Sequence, residues 1–181
     1  MSKLIDNNKL LEIFYENPNK WYHIREISRI IKLSPTTASK YLNKLKKEGI
    51  LDNKEERRHI LFRANTEDKK FITKKINYNI DKIKNSGLIT FLEEELIYPK
   101  AIILFGSYAK GENTPDSDID IFVLTESKKK INLSDYEKNL KTEIQLFVHN
   151  NKEFQLMKKN NKEIFNNIIN GIKLYGFIEV V

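Results

Sequence analysis

Residues 104–123 read Leu104-Phe-Gly-Ser-Tyr-Ala-Lys-Gly-Glu-Asn-Thr-Pro-Asp-Ser-Asp-Ile-Asp-Ile-Phe-Val123, and this stretch decides the fold of the second half of the chain. The apolar runs 101–105 and 119–124 at its two ends predict two strands. Because side chains alternate along a strand, we expect Asp118 and Asp120 on the same face. Two neighbouring carboxylates repel each other and lose hydration, and a divalent cation would relieve both penalties.

The residues between the two predicted strands suit phosphate binding. Mg²⁺ is typically held by one or two carboxylates together with substrate phosphates. Gly106 lets the backbone approach a phosphate, and Ser107 adds a hydroxyl and an N–H group where a helix begins. Phosphoryl or nucleotidyl transfer is the chemistry indicated. An Asx- and Gly-rich turn between two core strands is the alternative, but it does not explain the second acid, Asp120, inside the strand.

This stretch resembles the minimal members of the nucleotidyltransferase superfamily of the DNA polymerase β type. The pattern of that family is Gly-Ser, a loop, and Asp-x-Asp on a strand, and Gly106, Ser107, Asp118 and Asp120 match it one by one. The resemblance implies Mg²⁺ or Mn²⁺ at the two aspartates. It also implies a nucleoside triphosphate, with ATP as the first candidate, at the Gly-Ser turn and Lys110.

The family usually adds a third carboxylate on a later strand, for which the candidate is the run Glu143-Ile-Gln-Leu-Phe-Val148. The best register places Gln145 at the position of that acid. A neutral amide is a poorer metal ligand and cannot act as a general base. Glu143 lies two residues earlier, on the same face, and either replaces the acid or is an exposed residue at the strand entrance. The catalytic set Asp118, Asp120 and Glu143, and with it enzymatic activity, is therefore left open.

The charge of the chain is concentrated in its first third. The protein has 181 residues and a formal net charge of +7. Residues 1–64 hold 14 lysines and arginines against eight acids, whereas residues 65–181 hold 18 against 17. All five arginines lie in the first part. A basic module beside a nearly neutral one indicates that the first module binds a polyanion.

Hydrophobic spacing predicts three helices and a hairpin in the basic part. The first helix includes Leu4 and ends near Asn17-Pro18, and the second runs from Ile24 to Ile31 with Ile27, Ile30 and Ile31 facing inward. Ser34 before Pro35 is a strong start signal for a third helix, which ends at Gly49. A charged loop, 52–58, then separates two apolar segments of a predicted β-hairpin.

Residues 25–51 of this region resemble a winged helix-turn-helix of the ArsR/MarR-like kind. In such motifs the second helix of the pair enters the major groove of double-stranded DNA. The resemblance implies DNA contacts through side chains of the third helix and through two arginines at the hairpin tip. These residues are Ser34, Thr36, Thr37, Ser39, Lys40, Asn43, Lys44, Arg57 and Arg58. A winged helix that only contacts other proteins is the alternative.

The sequence thus predicts an α+β protein of three parts. A winged helix-turn-helix domain spans 1–64, and a helical linker spans 65–98, with a break at Asn85-Ser86-Gly87. A minimal nucleotidyltransferase domain with a mixed sheet spans 99–181 and ends in a strand within 174–181. The apolar stripe of the linker, from Phe71 to Ile83, packs either on its own domains or on a second copy of the chain.

The order of these parts is similar to a group of archaeal proteins with the same fusion. Two functions are compatible with it. One is a transcriptional regulator that binds DNA and senses nucleotide and Mg²⁺ through its second domain. The other is an active nucleotidyltransferase that moves AMP or another NMP onto a protein or small molecule, as an antitoxin does to its partner toxin. A homodimer and a partner protein are left open.

Composition excludes several other classes of protein. The chain has no cysteine, so disulfides, thiol chemistry and Cys-type zinc sites are excluded. Its apolar runs are too short for a transmembrane span. We expect a cytoplasmic protein that does not use a membrane.

Overall fold

The computed structural model describes residues 7–179. Leu4 of the predicted first helix, and Val180 and Val181 of the predicted last strand, therefore lie outside the described residues. The chain divides into two compact units, one up to Tyr78 and one from Asn79 onward. Within 7–179 no helix is both long and apolar enough to cross a membrane.

The first unit contains helices and a small antiparallel sheet. Its elements are α1 (Asn7–Glu16), β1 (Tyr22–His23), α2 (Ile24–Ile30), α3 (Pro35–Lys47), β2 (Leu51–Glu56) and β3 (His59–Ala64). The strand order is β1-β3-β2, and both pairs are antiparallel. Apolar residues from every one of these elements form its core, among them Phe14, Ile27, Leu42, Leu51 and Phe62.

Two expectations about this unit were wrong. Ile30 does not face inward, since its side chain is 50% exposed. The helix α2 is only seven residues long, and its buried residues are Ile27 and Ser28. The segment 52–58 is not a loop, because β2 continues to Glu56 and the hairpin turns on Arg57 and Arg58 alone.

The helix α4 (Lys69–Asn85) contains the boundary between the two units. The sequence predicted an apolar stripe on it, but the fully buried positions are Phe71, Lys75, Asn79 and Ile83. The buried face therefore carries two polar side chains. The remaining isoleucines of the predicted stripe lie at its margins and are half-buried; these are Ile72, Ile76 and Ile80.

The second unit is a mixed sheet with helices. It contains α5 (Leu88–Glu95), β4 (Ala101–Phe105), α6 (Gly106–Lys110), β5 (Ile119–Leu124), α7 (Ser134–Leu140), β6 (Ile144–His149), α8 (Asn151–Asn160), α9 (Lys162–Ile169) and β7 (Ile172–Gly176). The strand order is β6-β5-β4-β7. Because β5 and β6 are parallel and the other pairs antiparallel, the predicted mixed sheet is confirmed.

Both faces of this sheet are covered. Ile119, Ile121 and Val123 of β5 belong to the cluster that includes residues of α5 and α7. Phe122 and Leu124 belong to a second cluster, which includes residues of α8 and α9. The alternation along β5 therefore places Asp120, and Asp118 just before the strand, on the side of the second cluster and at the end where β4 stops.

Candidate functional site

Gly106 and Asp120 meet where β4 ends. Phe105, the last residue of β4, pairs with Asp120 of β5, and Gly106 follows with a φ of +66°. A Cβ atom at Gly106 would lie 2.1 Å from Asp120 Oδ2. Glycine is therefore required at position 106 for two reasons. The backbone there is left-handed, and the Asp120 carboxylate occupies the space that a side chain would need.

Asp118 and Asp120 lie side by side, as the alternation of the strand predicted. Asp118 immediately precedes β5, Asp120 is its second residue, and both side chains are half-buried. Burial raises the pKa of the Asp120 carboxyl, and the neighbouring charge of Asp118 raises it further. The folded chain thus holds two acids at a cost that a bound cation would offset.

Gln145 completes this group. The strand β6 runs parallel to β5, and its register places Gln145 opposite Asp120. The Gln145 side chain donates a hydrogen bond from Nε2 to Asp118 Oδ2, at 2.6 Å. The register expected from the sequence, with an amide beside the two carboxylates, is the one that the sheet adopts.

Glu143 lies at the entrance of β6, and its side chain is exposed. Its backbone carbonyl accepts a hydrogen bond from the Ile119 N–H group at 2.9 Å, which extends the pairing of the two strands by one residue. Across residues 7–179 there is no cluster of three or more His, Cys, Asp or Glu side chains that could hold a metal. The structure therefore brings together two acids and an amide, and Glu143 does not join them.

The two remaining nucleotide-site candidates belong to α6. Ser107 is half-buried in its first turn, and Lys110 is its exposed last residue. The helix then ends at Gly111, which has a φ of +71°. Ser107 is thus adjacent to the Gly106 turn, whereas the Lys110 side chain extends into solvent.

Two buried asparagines, Asn79 and Asn113, hold residues 108–113 in place, and the sequence analysis identified neither of them. Asn79 Nδ2 donates to the Tyr108 carbonyl at 2.9 Å and to Asn113 Oδ1 at 2.8 Å. Asn79 is 1% exposed and Asn113 is 6% exposed. The only sequence signal was an asparagine inside the apolar spacing of α4, and its partners lie about 30 residues away, at separations of 29 and 34.

The acids at the end of β4, Asp118 and Asp120, could hold a divalent cation. The two carboxylates are oxygen donors of the kind that Mg²⁺ and Mn²⁺ prefer, whereas the Gln145 amide presents its N–H group to Asp118. Gly106 leaves the space beside Asp120 free of a Cβ atom. A bound cation would supply positive charge to neutralise phosphate oxygens, and the chain would contribute the position and orientation of the two acids.

The predicted DNA-contact residues of the first unit lie on α3 and on the hairpin. Ser34 caps α3, since its Oγ accepts a hydrogen bond from the Thr37 N–H group at 3.1 Å. Thr36, Lys40 and Lys44 are exposed. Asn43 is half-buried and donates to the carbonyl and to the Oγ of Ser39, at 2.9 and 3.2 Å. The amide of Asn43 is therefore already bonded within α3, and only its oxygen remains for a base.

Arg57 and Arg58 form the tip of the hairpin in an unusual backbone conformation. Their φ angles are +48° and +64°, between the paired residues Glu56 and His59. A two-residue turn with both central φ angles positive is of type I′, for which Asn-Gly is the favoured sequence. Both side chains are exposed. The tip thus presents two cations on a backbone that suits other residues better.

A cleft of about 860 Å³ lies between α2, the start of α3 and the hairpin. Arg25 and Arg29 line it from α2, and Arg58 lines it from the hairpin. His23 and His59 also line it, with their rings edge to face at 5.5 Å. The two α2 arginines and His23 were not among the predicted contact residues. Their proximity to the hairpin depends on the fold, so spacing along the chain could not reveal it.

Comparison with known families agrees with this geometry. Residues 85–169 match the family model of the nucleotidyltransferase domain, and residues 8–52 match that of the winged helix-turn-helix DNA-binding domain. A search of curated proteins found no match. The resemblances seen in the sequence are thus confirmed for both domains, and the chain carries one after the other.

Proposed function

We propose that this chain, which joins a winged helix-turn-helix domain to a nucleotidyltransferase domain, is a DNA-binding transcriptional regulator that senses a nucleotide with Mg²⁺. The observation that carries the proposal is the hydrogen bond from Gln145 to Asp118. This bond supports the assignment of the neutral amide of Gln145 to the position at which the family resemblance implies a third acid. Two acids suffice to hold a metal–nucleotide complex, but transfer also needs a base.

The nucleotide site would consist of residues around the end of β4. Asp118 and Asp120 would hold the cation, and the Gly106-Ser107 turn would receive the phosphates. The absence of a Cβ atom at Gly106 permits close approach of the backbone. Asp120 needs its charged form for this role, and burial opposes that form in the free protein. Cation binding and nucleotide binding are therefore expected to support each other.

The DNA surface would combine α3 with the arginine-lined cleft. Thr36, Ser39 and Lys40 would face the bases and phosphates of a major groove, as in other proteins with this motif. Arg57 and Arg58 would contact the backbone beside it. Arginine and lysine contacts to phosphate supply most of the non-specific affinity and make it depend on salt.

DNA binding is tested with the full chain and a fluorescent duplex of mixed sequence. Anisotropy measured over a series of salt concentrations should show log affinity falling linearly with log salt. Arg57→Ala/Arg58→Ala should reduce the slope by about 2, because each phosphate contact contributes about 0.9. Thr36→Ala should leave the slope unchanged and alter the preferred sequence selected from a random library. Affinity that does not depend on salt would overturn this half of the proposal.

Sensing is tested by adding ATP and Mg²⁺ to the same assay. The affinity for DNA should change when both are present by more than the change that Mg²⁺ alone causes through its own binding to DNA phosphates, and ATP alone should have no effect. Asp118→Asn/Asp120→Asn should remove this response and retain the DNA affinity of the nucleotide-free protein. An identical affinity with and without Mg·ATP would exclude a sensor.

The enzymatic alternative is tested separately with radiolabelled ATP, GTP, CTP and UTP. A sensor should show little or no transfer of label to itself. Rapid labelling that is abolished by Glu143→Gln would mean that Glu143 moves into the site as the third acid, and that the protein is a nucleotidyltransferase.

A further inference from the structure

Gln145 has a consequence for the metal content of the site, which rests on the proposed nucleotide function. We infer that the site binds one divalent cation per chain, together with the nucleotide, and that Gln145 prevents a second cation from binding between Asp118 and β6.

The orientation of the Gln145 amide supports this inference. An ionised carboxylate has no proton to donate, so the group that faces Asp118 Oδ2 at 2.6 Å must be the amide N–H. That N–H group occupies a lone pair of Asp118 Oδ2 that a second cation on the β6 side would need. A cation placed there would meet the positive end of the amide dipole.

The charge of the site leads to the same result. Among the side chains of the site, Asp118 and Asp120 supply two negative charges, which balance one divalent ion, so that charge for a further ion would have to come from the nucleotide phosphates alone. A third acid would supply charge for a second ion, but Gln145 is neutral and Glu143 lies outside the group. No other cluster of three acidic or histidine side chains occurs within 7–179.

The pairing of the strands keeps the amide in place. Gln145 lies opposite Asp120, and the register continues without a shift from Ile119↔Ile144 to Leu124↔His149. A slip by one residue would turn Gln145 away from the acids and would turn Leu146 and Val148 toward them. A small movement of β6 therefore cannot carry the Gln145 side chain away from the acids.

The experiment counts Mn²⁺ ions bound to the full chain by electron paramagnetic resonance of the free ion. Titrations are run with Mn²⁺ alone and with a non-hydrolysable ATP analogue. Total Mn²⁺ is compared on the two sides of a dialysis membrane that retains the chain, which excludes ions on unbound analogue, and the Asp118→Asn/Asp120→Asn variant serves as the blank for ions bound elsewhere on the chain. We expect one ion per wild-type chain above this blank, and two per chain in Gln145→Asp.

Gln145→Glu is the second test variant, since it keeps the length of the side chain and changes only its charge. Gln155→Asp on α8 is the matched control, because Gln155 is exposed and lies outside the site. It adds the same charge to the chain and should leave the count at one. Calorimetric melting of each variant shows whether it is folded before its ions are counted.

The outcomes separate this inference from the function on which it rests. Two ions in the wild type, or one ion in both folded Gln145 variants, would overturn the inference and leave the nucleotide site standing. If Glu143→Gln then lowers a wild-type count of two to one, Glu143 is the second ion's ligand. No ion above the blank in the wild type would overturn the proposed nucleotide site together with the inference.

Discussion

Two of the turns with a left-handed backbone differ in the residues that they use. The turn after β4 uses Gly106, and the hairpin tip uses Arg57 and Arg58. At Gly106 space decides, because any side chain would collide with Asp120. At the hairpin tip the side chains extend into solvent, so arginine is tolerated at the cost of backbone strain, of the order of 1–2 kcal/mol per residue. Space around the backbone restricts the residue type in the first turn, whereas the exposed side chains of the second turn have no such restriction.

Gly106→Ala is the change expected to have the largest effect. It combines a left-handed φ with a Cβ atom 2.1 Å from Asp120 Oδ2. We therefore expect the free energy of unfolding to fall by about 2–5 kcal/mol. We also expect Mn²⁺ binding to be lost. Gly87→Ala is the matched control, since Gly87 has a φ of +80° but nothing within 4 Å of its added Cβ. Its loss should be only about 1–2 kcal/mol. Calorimetry that finds equal losses for the two variants would mean that contact with Asp120 is unimportant.

Replacing Arg57-Arg58 by Asn-Gly tests the other turn. We expect about 1–2 kcal/mol of added stability, because Asn-Gly suits a type I′ turn. The same change should weaken binding to mixed-sequence DNA about tenfold, or about 1.4 kcal/mol. Trp21 is the only tryptophan and lies in the first unit, so its fluorescence reports unfolding there.

Arg57→Lys/Arg58→Lys is the control that separates charge from conformation at the tip. Both charges and the strained backbone remain, so stability and the salt dependence of DNA binding should stay close to those of the wild type. An Asn-Gly variant that gains stability and keeps full DNA affinity would show that the arginines are not retained for DNA binding.

Lys75 is a buried amine in the first unit of the chain. Its side chain is 1% exposed, and burial lowers its pKa to about 8, although Glu16 partly opposes the shift. The charged form is disfavoured in the folded state, so stability should rise with pH from about 8 toward the unfolded pKa of 10.5. Denaturation followed by Trp21 fluorescence should show a gain of about 1–2 kcal/mol between pH 7.5 and 9.5.

Lys75→Met should flatten this rise with pH. The denaturation measurements stop at pH 9.5 because a second group affects stability at higher pH. Burial raises the pKa of Tyr15 to about 12, so above pH 10 this tyrosine ionises only in the unfolded chain and lowers stability. A variant that follows the wild-type rise would assign the pH dependence to another group.

Asp120→Asn is expected to have the smallest effect on stability. The folded pKa of Asp120 is raised, so its charge lowers stability as pH increases from the unfolded value of 3.8 through the folded one. The metal-free variant should therefore be more stable at pH 7 by less than about 1 kcal/mol, because solvent screens a half-buried pair. The difference should vanish near pH 3, where the Asp120 carboxyl is protonated in both the folded and the unfolded chain. A destabilised variant would show that Asp120 makes contacts that need its charge.

The sequence by itself determined the elements that depend on neighbouring residues. Ser34 before Pro35 marked the start of α3, and Gly49 marked its end, because caps act within one helical turn. Alternation along β5 placed Asp118 and Asp120 on one face for the same local reason. The position of Gln145 beside the acids followed from the resemblance to the nucleotidyltransferase family, which aligned this residue with the third acid, and the register of β6 agrees with it.

Only the tertiary structure decided what distant segments do to each other. It placed Lys75 and Asn79 on the buried face of α4. The hydrogen-bond partners of Asn79 come from α6 and from the residues that follow it. It brought Arg25 and Arg29 beside the hairpin, and it left Glu143 outside the site. Such outcomes depend on the space and hydrogen-bonding groups that other elements offer, and periodicity along the chain carries no information about either.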